Sequence, residues 1–438
     1  MLNLLYQTWI NGVPISNSVP PHKRKINSDG YGNVKSNYLE KMLEVVNFQW
    51  NSKSINDINK NDIVYYHIQP EWIDLAFYYE NVFYHIDEPV LNLLRDPNNN
   101  IRVLIWFPSE GFHLSMPKFL DDIIWSIGNK GIPFKKVYMV YGDLNIVSSY
   151  EAYQKAKRIG DDQKINVYPF NVFETNYRHE CDVRYFKNHK TKGVNDELID
   201  PDELTNGHIR SHKFLCKNAN PREHRIYIMS EIYRRGWQDQ TIHSFLNRYF
   251  TPDCIGNLKS YITDHSMLNT IDEYSTRWLK EKTPIILDHD ANTIGNHMNQ
   301  RILVKDHFKE TYFSFVTETV FESQPGAPLF VTEKTYMPFV NYHPFIITSG
   351  PGCLEYLRSE GYETFPELFD ESYDTITNRA TRLNVIMNNI ERWCNNDIQA
   401  LHTIYWNIWD KLEHNRNHFF KRSHQQRWQK LIDFLQDK

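Results

Sequence analysis

The sequence predicts an α/β protein of two Rossmann-like domains, and three observations carry that prediction. At 438 residues the chain exceeds one ordinary core and suits two domains of roughly 200 residues each. Short runs rich in β-branched and aromatic residues alternate with helical patterns along both halves, which is the signature of parallel sheets covered by helices. The composition, 41 % hydrophobic and 14 % aromatic, is that of packed domains rather than a disordered chain.

The elements follow in order. Ile63–Ile68, Val103–Phe107, Lys136–Tyr141 and Ile165–Tyr168 read as strands, each short and bounded by turn residues. Lys118–Ile127 and Tyr150–Ile159 read as the helices between them. Residues 183–211 are polar and read as a linker. A second domain then starts at Lys213–Cys216, and its first helix, Ile226–Arg235, has Pro221 before its start and Gly236 after its end, the usual asymmetry of helix termini. Pro284–Leu287, Tyr312–Val316 and Phe345–Thr348 are the later strands, and Cys353–Ser359 and 378–394 the later helices. Leu401, Ile404, Tyr405, Ile408 and Leu412 repeat at helical spacing. The expected division is 1–205 and 206–438, with a closing C-terminal helix.

Leu329–Pro338, followed by the apolar Pro344–Thr348 and by Gly350-Pro351-Gly352, is the most informative stretch. It reads as strand, turn, short helix, strand and glycine-rich turn. Thr332 is placed as an N-cap, with Glu333 and Lys334 in the first helical turn. A helix N-terminus offers free N–H groups and partial positive charge, so it attracts phosphate. Lys334 adds a full cation, and Glu333 can accept hydrogen bonds from ribose hydroxyls. The plainer alternative is a capped core helix with solvated charges.

The surroundings extend this motif. Phe315, Glu318, Ser323, Val331, Thr332, Glu333, Lys334, Phe345, Ile346 and Ile347 together resemble the donor-binding signature of the fucosyltransferase family. There an aromatic strand leads into a Glu-containing loop, a Thr-Glu-Lys turn, a helix and an apolar strand. The resemblance covers residues 310–355. It implies the GT-B architecture, two Rossmann-like domains facing each other across a cleft. It also implies a nucleotide-diphosphate sugar donor, GDP by analogy, with inverting, metal-independent transfer to an acceptor hydroxyl. On that likeness Glu318 and Glu333 hold ribose or sugar hydroxyls, and Ser323 belongs to the donor loop. Pro338 departs from the family pattern, and proline inside a helix removes a hydrogen bond, so an irregular helix is expected there.

Single-displacement transfer needs a base for the acceptor hydroxyl. Glu110, in Trp106-Phe-Pro-Ser-Glu-Gly-Phe112, stands just past a strand, where open α/β sheets bind ligands. It loosely resembles a strand-end Gly-Glu-Asn element of the same family. Asp143 in Tyr141-Gly142-Asp143 is the second candidate. For Glu110 the alternative is a turn carboxylate capping the next helix. Arg222 and Arg225 open a helix after the second domain's first strand, and the arginine fork suits phosphate oxygens.

Other patterns bound the partners. The net charge of −5 provides no overall cationic field for nucleic acid or membrane. Five scattered cysteines without a CxxC pair indicate neither a disulfide framework nor a zinc site. Asp288-His289-Asp290 is the one short metal-type motif, and the expectation is no metal and no cofactor beyond the co-substrate donor. No basic-then-apolar leader and no membrane-length apolar run occur, so a cytoplasmic protein is expected, in the host cytoplasm if viral. The Asn-, Lys-, Ile- and Tyr-rich usage suits a bacterial or bacteriophage source. The acceptor is then a glycan or a modified base of phage DNA. Two basic clusters bear on the second option: Lys187, Lys190 and Lys192, and the aromatic-interleaved His414–Lys430. From another functional class, the same sequence fits a catalytically silent protein that binds glycans or nucleotide-sugars.

Overall fold

The structure, a computed structural model, describes residues 1–10, 13–15, 17, 38–59, 61–68, 83, 86–109, 111, 119–182, 198–246, 271–287, 304–322 and 328–437. The chain divides into two compact units, Met1–Val172 with Ser423–Lys438, and Phe173–Arg422. Each is α/β with its own parallel sheet, as expected.

The first unit's sheet uses β1 (Leu2–Leu5), β4 (Trp50–Lys53), β5 (Val64–Ile68), β6 (Ile101–Phe107), β7 (Val137–Tyr141) and β8 (Asn166–Pro169), in the order β4-β1-β5-β6-β7-β8. All pairs are parallel. A small antiparallel pair, β2 (Thr8–Ile10) and β3 (Val13–Ile15), stands apart. The strand order reverses between β1 and β5. Alternation along the strands sends two sets of side chains to opposite faces. Val64, Tyr66, Ile68, Val103, Ile105, Phe107, Val137, Met139 and Tyr141 form one core with apolar residues of the helices Glu88–Arg95, Phe119–Lys130 and Ile146–Lys157. On the other face, Trp106, Tyr138 and Tyr168 meet Trp428 and Phe434 of the helix Gln425–Gln436. Arg102 donates to the carbonyls of Leu435 and Asp437 at 3.1 and 2.8 Å, giving partners to carbonyls that a helix end leaves open.

The unit boundary lies earlier than the 205/206 expected from sequence. The helix Phe173–Cys181 packs within the second unit, through Phe173 on Phe330 and Tyr177 on Phe419. Tyr362 also donates to Glu174 at 2.6 Å. The polar stretch read as a linker follows this helix. Residues 423–438 belong to the first unit.

The second unit's sheet uses β9 (His212–Asn218), β10 (Thr241–Phe245), β11 (Thr311–Thr317) and β12 (Phe345–Thr348), in the order β10-β9-β11-β12, all parallel. Here the reversal falls between β9 and β11. The strand expected at Pro284–Leu287 is a single antiparallel bridge from Ile285 to Phe245; Pro284, lacking an N–H, cannot extend a ladder. The helix Glu333–Val340 continues two residues past Pro338. It is only eight residues long, so the missing N–H interrupts little. The C-terminal basic stretch is two helices, Trp409–Lys421 and Gln425–Gln436, in different units. Among the described residues no helix is long and apolar enough to cross a membrane.

Candidate functional site

Parallel strands carry their C-terminal ends to one edge, and in the second unit this edge gathers the segments after β9, β11 and β12. Ligands of open α/β sheets bind at such an edge, at the strand-order reversal, here between β9 and β11.

Glu318, the first residue after β11, organises the edge. It is fully buried. Its carboxylate accepts from Thr332 N at 2.9 Å, Thr332 Oγ1 at 2.7 Å, Thr335 Oγ1 at 2.6 Å and Thr319 N at 3.2 Å. Glu318 therefore clamps the first turn of the helix Glu333–Val340 onto the end of β11. This differs from the expected contact with ribose or sugar hydroxyls, because internal donors already surround both oxygens.

Thr332 is the N-cap, its hydroxyl accepting from Lys334 N at 3.4 Å. Lys334 Nζ lies 3.2 Å from the same hydroxyl and 2.8 Å from Glu333 Oε1. Its side chain is 29 % exposed, against 10 % for Glu333. A partly exposed ammonium thus stands on a helix N-terminus, held by its neighbour's carboxylate.

The β9 side supplies arginines. Arg222 is the N-cap of the helix Glu223–Arg234, with no side-chain cap. Arg225 lies deeper than expected for a phosphate ligand. Buried, it donates to Thr317 O at 2.8 Å, Glu318 O at 3.1 Å and Asn220 O at 3.2 Å. Burial, then the charge of Arg222, pulls its guanidinium down to about 9. His224 meets Glu318 O at 3.0 Å. Burial, then Arg225 and Arg379, hold its imidazole well below the ordinary value, so it is neutral.

Two further arginines were not read from sequence. Arg379 and Arg382 open the helix Arg379–Asn395, behind the N-cap Asn378. Arg379 pairs with Glu223 at 3.2 Å and Glu322 at 3.6 Å. Arg382 donates to Glu322 O at 2.6 Å and Ile376 O at 2.8 Å. Both guanidinia lie over the Phe321 ring. The available signal was two arginines one turn apart behind an Asn N-cap.

Buried polar atoms without partners among the described residues also collect here: Asn220 Oδ1, Arg225 Nε, Thr348 Oγ1 and Arg382 Nε. Such atoms are uncommon and call for a physical reason, and a ligand is one. Gly350 closes the edge beside β12. A Cβ there would stand 2.7 Å from Pro328 O, so the backbones need glycine. The N-terminus of the helix Cys353–Ser359 is already filled, since Asp374 accepts from Leu354 N and Glu355 N at 2.9 and 3.0 Å.

In the first unit, Asp143 is fully buried and accepts from Asn145 N at 2.8 Å and Ser149 Oγ at 3.3 Å. It closes the turn into the helix Ile146–Lys157, so the second base candidate is an enclosed carboxylate rather than an exposed one. Glu110, Ser323, Asp288-His289-Asp290 and Lys187, Lys190 and Lys192 lie outside the described residues. Among the described residues no cluster of metal-ligating side chains occurs. Arg416 donates to Ile199 O and Val340 O at 2.8 Å, and Arg422 pairs with Glu174 and Glu360.

The fold defines a two-unit α/β protein with a Rossmann-like parallel sheet in each unit. No protein-family model matches the chain, and no curated protein matches it. Among solved structures it is similar to an α,α-trehalose-phosphate synthase (UDP-forming) from Burkholderia vietnamiensis, with TM-score 0.37 and 10 % identity over 92 % of this chain and 80 % of that one. It is also similar to S. aureus MnaA, solved with UDP, with TM-score 0.32 and 8 % identity over 99 % of this chain and 98 % of that one.

Proposed function

We propose that the protein is a glycosyltransferase of GT-B type, moving a sugar from a nucleotide-diphosphate donor to an acceptor hydroxyl. One observation carries this: the Lys334-bearing helix N-terminus is clamped by Glu318 to the strand-order reversal of the second sheet. Helix N–H groups and an ammonium there suit a diphosphate.

In this proposal Lys334 and the Thr332 turn grip the diphosphate, and Arg222 faces it from the β9 side. Arg225 fixes the loop that presents Arg222, Glu333 releases Lys334 and takes ribose hydroxyls, and Ser323 stays a donor-loop contact. Fixed cations offset leaving-group charge without a metal, and an inverting displacement uses Glu110 as base in preference to the enclosed Asp143. GDP is the first donor to try, by the fucosyltransferase resemblance. A glycan is favoured over a DNA base as acceptor, because Arg416 and Arg422 of the basic stretch are engaged internally.

The test is a thermal-shift panel of GDP, UDP, CDP, ADP and dTDP with their sugar conjugates, with and without EDTA. A ligand at 100 times its dissociation constant adds about 2.7 kcal/mol. One nucleotide should stabilise the chain, and Lys334→Ala should remove that effect while the fold stays intact. No shift with any nucleotide overturns the proposal. A second reading, a silent binding protein on the same fold, is favoured by one feature: Asp143 is locked in a turn. Nucleotide binding without turnover, unchanged by Glu110→Gln, selects it.

A further inference from the structure

The first unit holds a buried polar pair that donor binding does not use. His67, the fourth residue of β5, is 1 % exposed, and among the described residues neither ring nitrogen has a partner. Its backbone is tied down, with its carbonyl accepting from Asn17 Nδ2 at 3.0 Å. Trp106 on β6 is equally buried, and its indole Nε1 also lacks a partner among the described residues.

Register places the two together. His67 stands opposite Leu104, and Ile68 opposite Ile105. Alternation then puts His67, Leu104 and Trp106 on one face, with the two orphaned groups one diagonal step apart on adjacent strands. They lie towards the C-terminal ends, and β5 borders the reversal between β1 and β5. β5 thus stands in the first sheet where β11, which leads into Glu318, stands in the second, beside the reversal at which open α/β sheets bind ligands.

The chemistry of the pair is uncharged. Burial alone holds the His67 imidazole down, to about 3, and no neighbouring charge contributes. A neutral imidazole has one donor and one acceptor nitrogen, and the indole adds a donor. Leaving three such functions unpaired in a buried face is costly. A hydroxyl group both accepts and donates, so it answers them; a phosphate or carboxylate would be buried there without a counter-charge.

We propose that His67 and Trp106 form a subsite for a hydroxyl of a neutral sugar, the acceptor class under the transferase reading on which this inference rests. The pair recognises and orients the sugar. Both groups are covered in the free chain, so entry displaces what covers them.

The experiment uses the full chain with ¹⁵N-labelled histidine and, as probes, glucose, galactose, mannose, N-acetylglucosamine and their disaccharides. The result expected is that one sugar perturbs the His67 ring resonances. Trp106→Phe and His67→Phe then weaken that sugar's binding by roughly tenfold or more, while His67→Gln, which keeps a donor and an acceptor, retains more of it. Nucleotide shifts stay as in the unaltered chain. If no sugar perturbs His67, or if folded Trp106→Phe and His67→Gln bind the sugar unchanged, the pair is a core feature and the inference is overturned. Nucleotide binding without sugar binding sinks this inference alone; sugar binding at His67 without nucleotide binding sinks the donor reading alone.

Discussion

The two sheets reverse strand order in the same way, yet among the described residues their C-terminal edges differ in chemistry. The second unit's edge is crowded with charge, Arg222, Arg225, Arg379 and Arg382 standing among Glu223, Glu318, Glu322 and Glu333. The first unit's edge presents neutral His67 and Trp106, and its buried carboxylate, Asp143, is enclosed in a turn. One topology therefore carries two chemistries, decided by a few residues near the strand ends, and the proposed donor and sugar sites rest on that difference. Charge suits a diphosphate, and uncharged donors and acceptors suit a sugar.

Glu318→Ala should break this contrast most severely. It strands Thr332 N, Thr332 Oγ1 and Thr335 Oγ1, all buried. Unsatisfied buried groups cost about 1–3 kcal/mol each, so a loss of about 3 kcal/mol or more is expected in the second unit's unfolding transition by denaturant melts. Nucleotide binding should go with it. A stable variant that binds nucleotide normally would show that Glu318 does not position the turn.

Acid should come next, and it touches both edges. The folded-state values of His67 and His343 are lowered to about 3, and that of His224 is lowered as well. Below the ordinary value near 6.5 the unfolded chain takes up protons that the folded chain refuses. The stability is thus fully present above pH 6.5 and is lost as pH falls towards 3. By pH 5 each of His67 and His343 should cost about 2 kcal/mol. Melts from pH 7.5 to 5 check the slope, and His67→Gln should flatten the share of the first unit. A melt independent of pH over that range would contradict the buried neutral imidazoles.

Gly350→Ala is expected to cost about 2 kcal/mol by overpacking, because the new methyl meets the Pro328 carbonyl, which is backbone. Differential scanning calorimetry of the folded variant checks it, and an unchanged midpoint would mean that the turn relaxes freely.

These contrasts also show what could be read before the fold was known. Strands such as β5, β6, β7, β11 and β12 were legible because continuous apolar, β-branched runs have few alternatives to a buried parallel sheet. β1 and β4 were not, since four residues carry almost no period. β10 mixes His243 and Ser244 into its run and hides its pattern. At the site, Thr332 and Lys334 were legible because capping is a local rule. Glu318 was recognised by resemblance, but its clamp on the Thr332 turn was not. Its partners come from a later turn, and only tertiary packing shows that they fill both oxygens. Arg379 and Arg382 left only the local signal of two arginines behind an Asn N-cap, as nothing within their own helix links them to β11.

The smallest effect separates clamp from cap. Thr332 serves both, giving its hydroxyl proton to Glu318 and accepting from Lys334 N. Thr332→Ser keeps the hydroxyl and should be nearly neutral. Thr332→Ala removes it and should cost about 1 kcal/mol, the usual worth of an N-cap. The helix lies within a packed unit, so it should persist, now with a loosened first turn. If the anion site is the turn itself, Thr332→Ala should weaken nucleotide binding beyond the loss of stability, with Lys334 intact. Titration of the nucleotide found in the panel, alongside Thr332→Ser and Lys334→Ala, decides this. Equal affinity in the Ser and Ala variants would mean that Lys334 alone holds the phosphate and that the helix N-terminus contributes nothing.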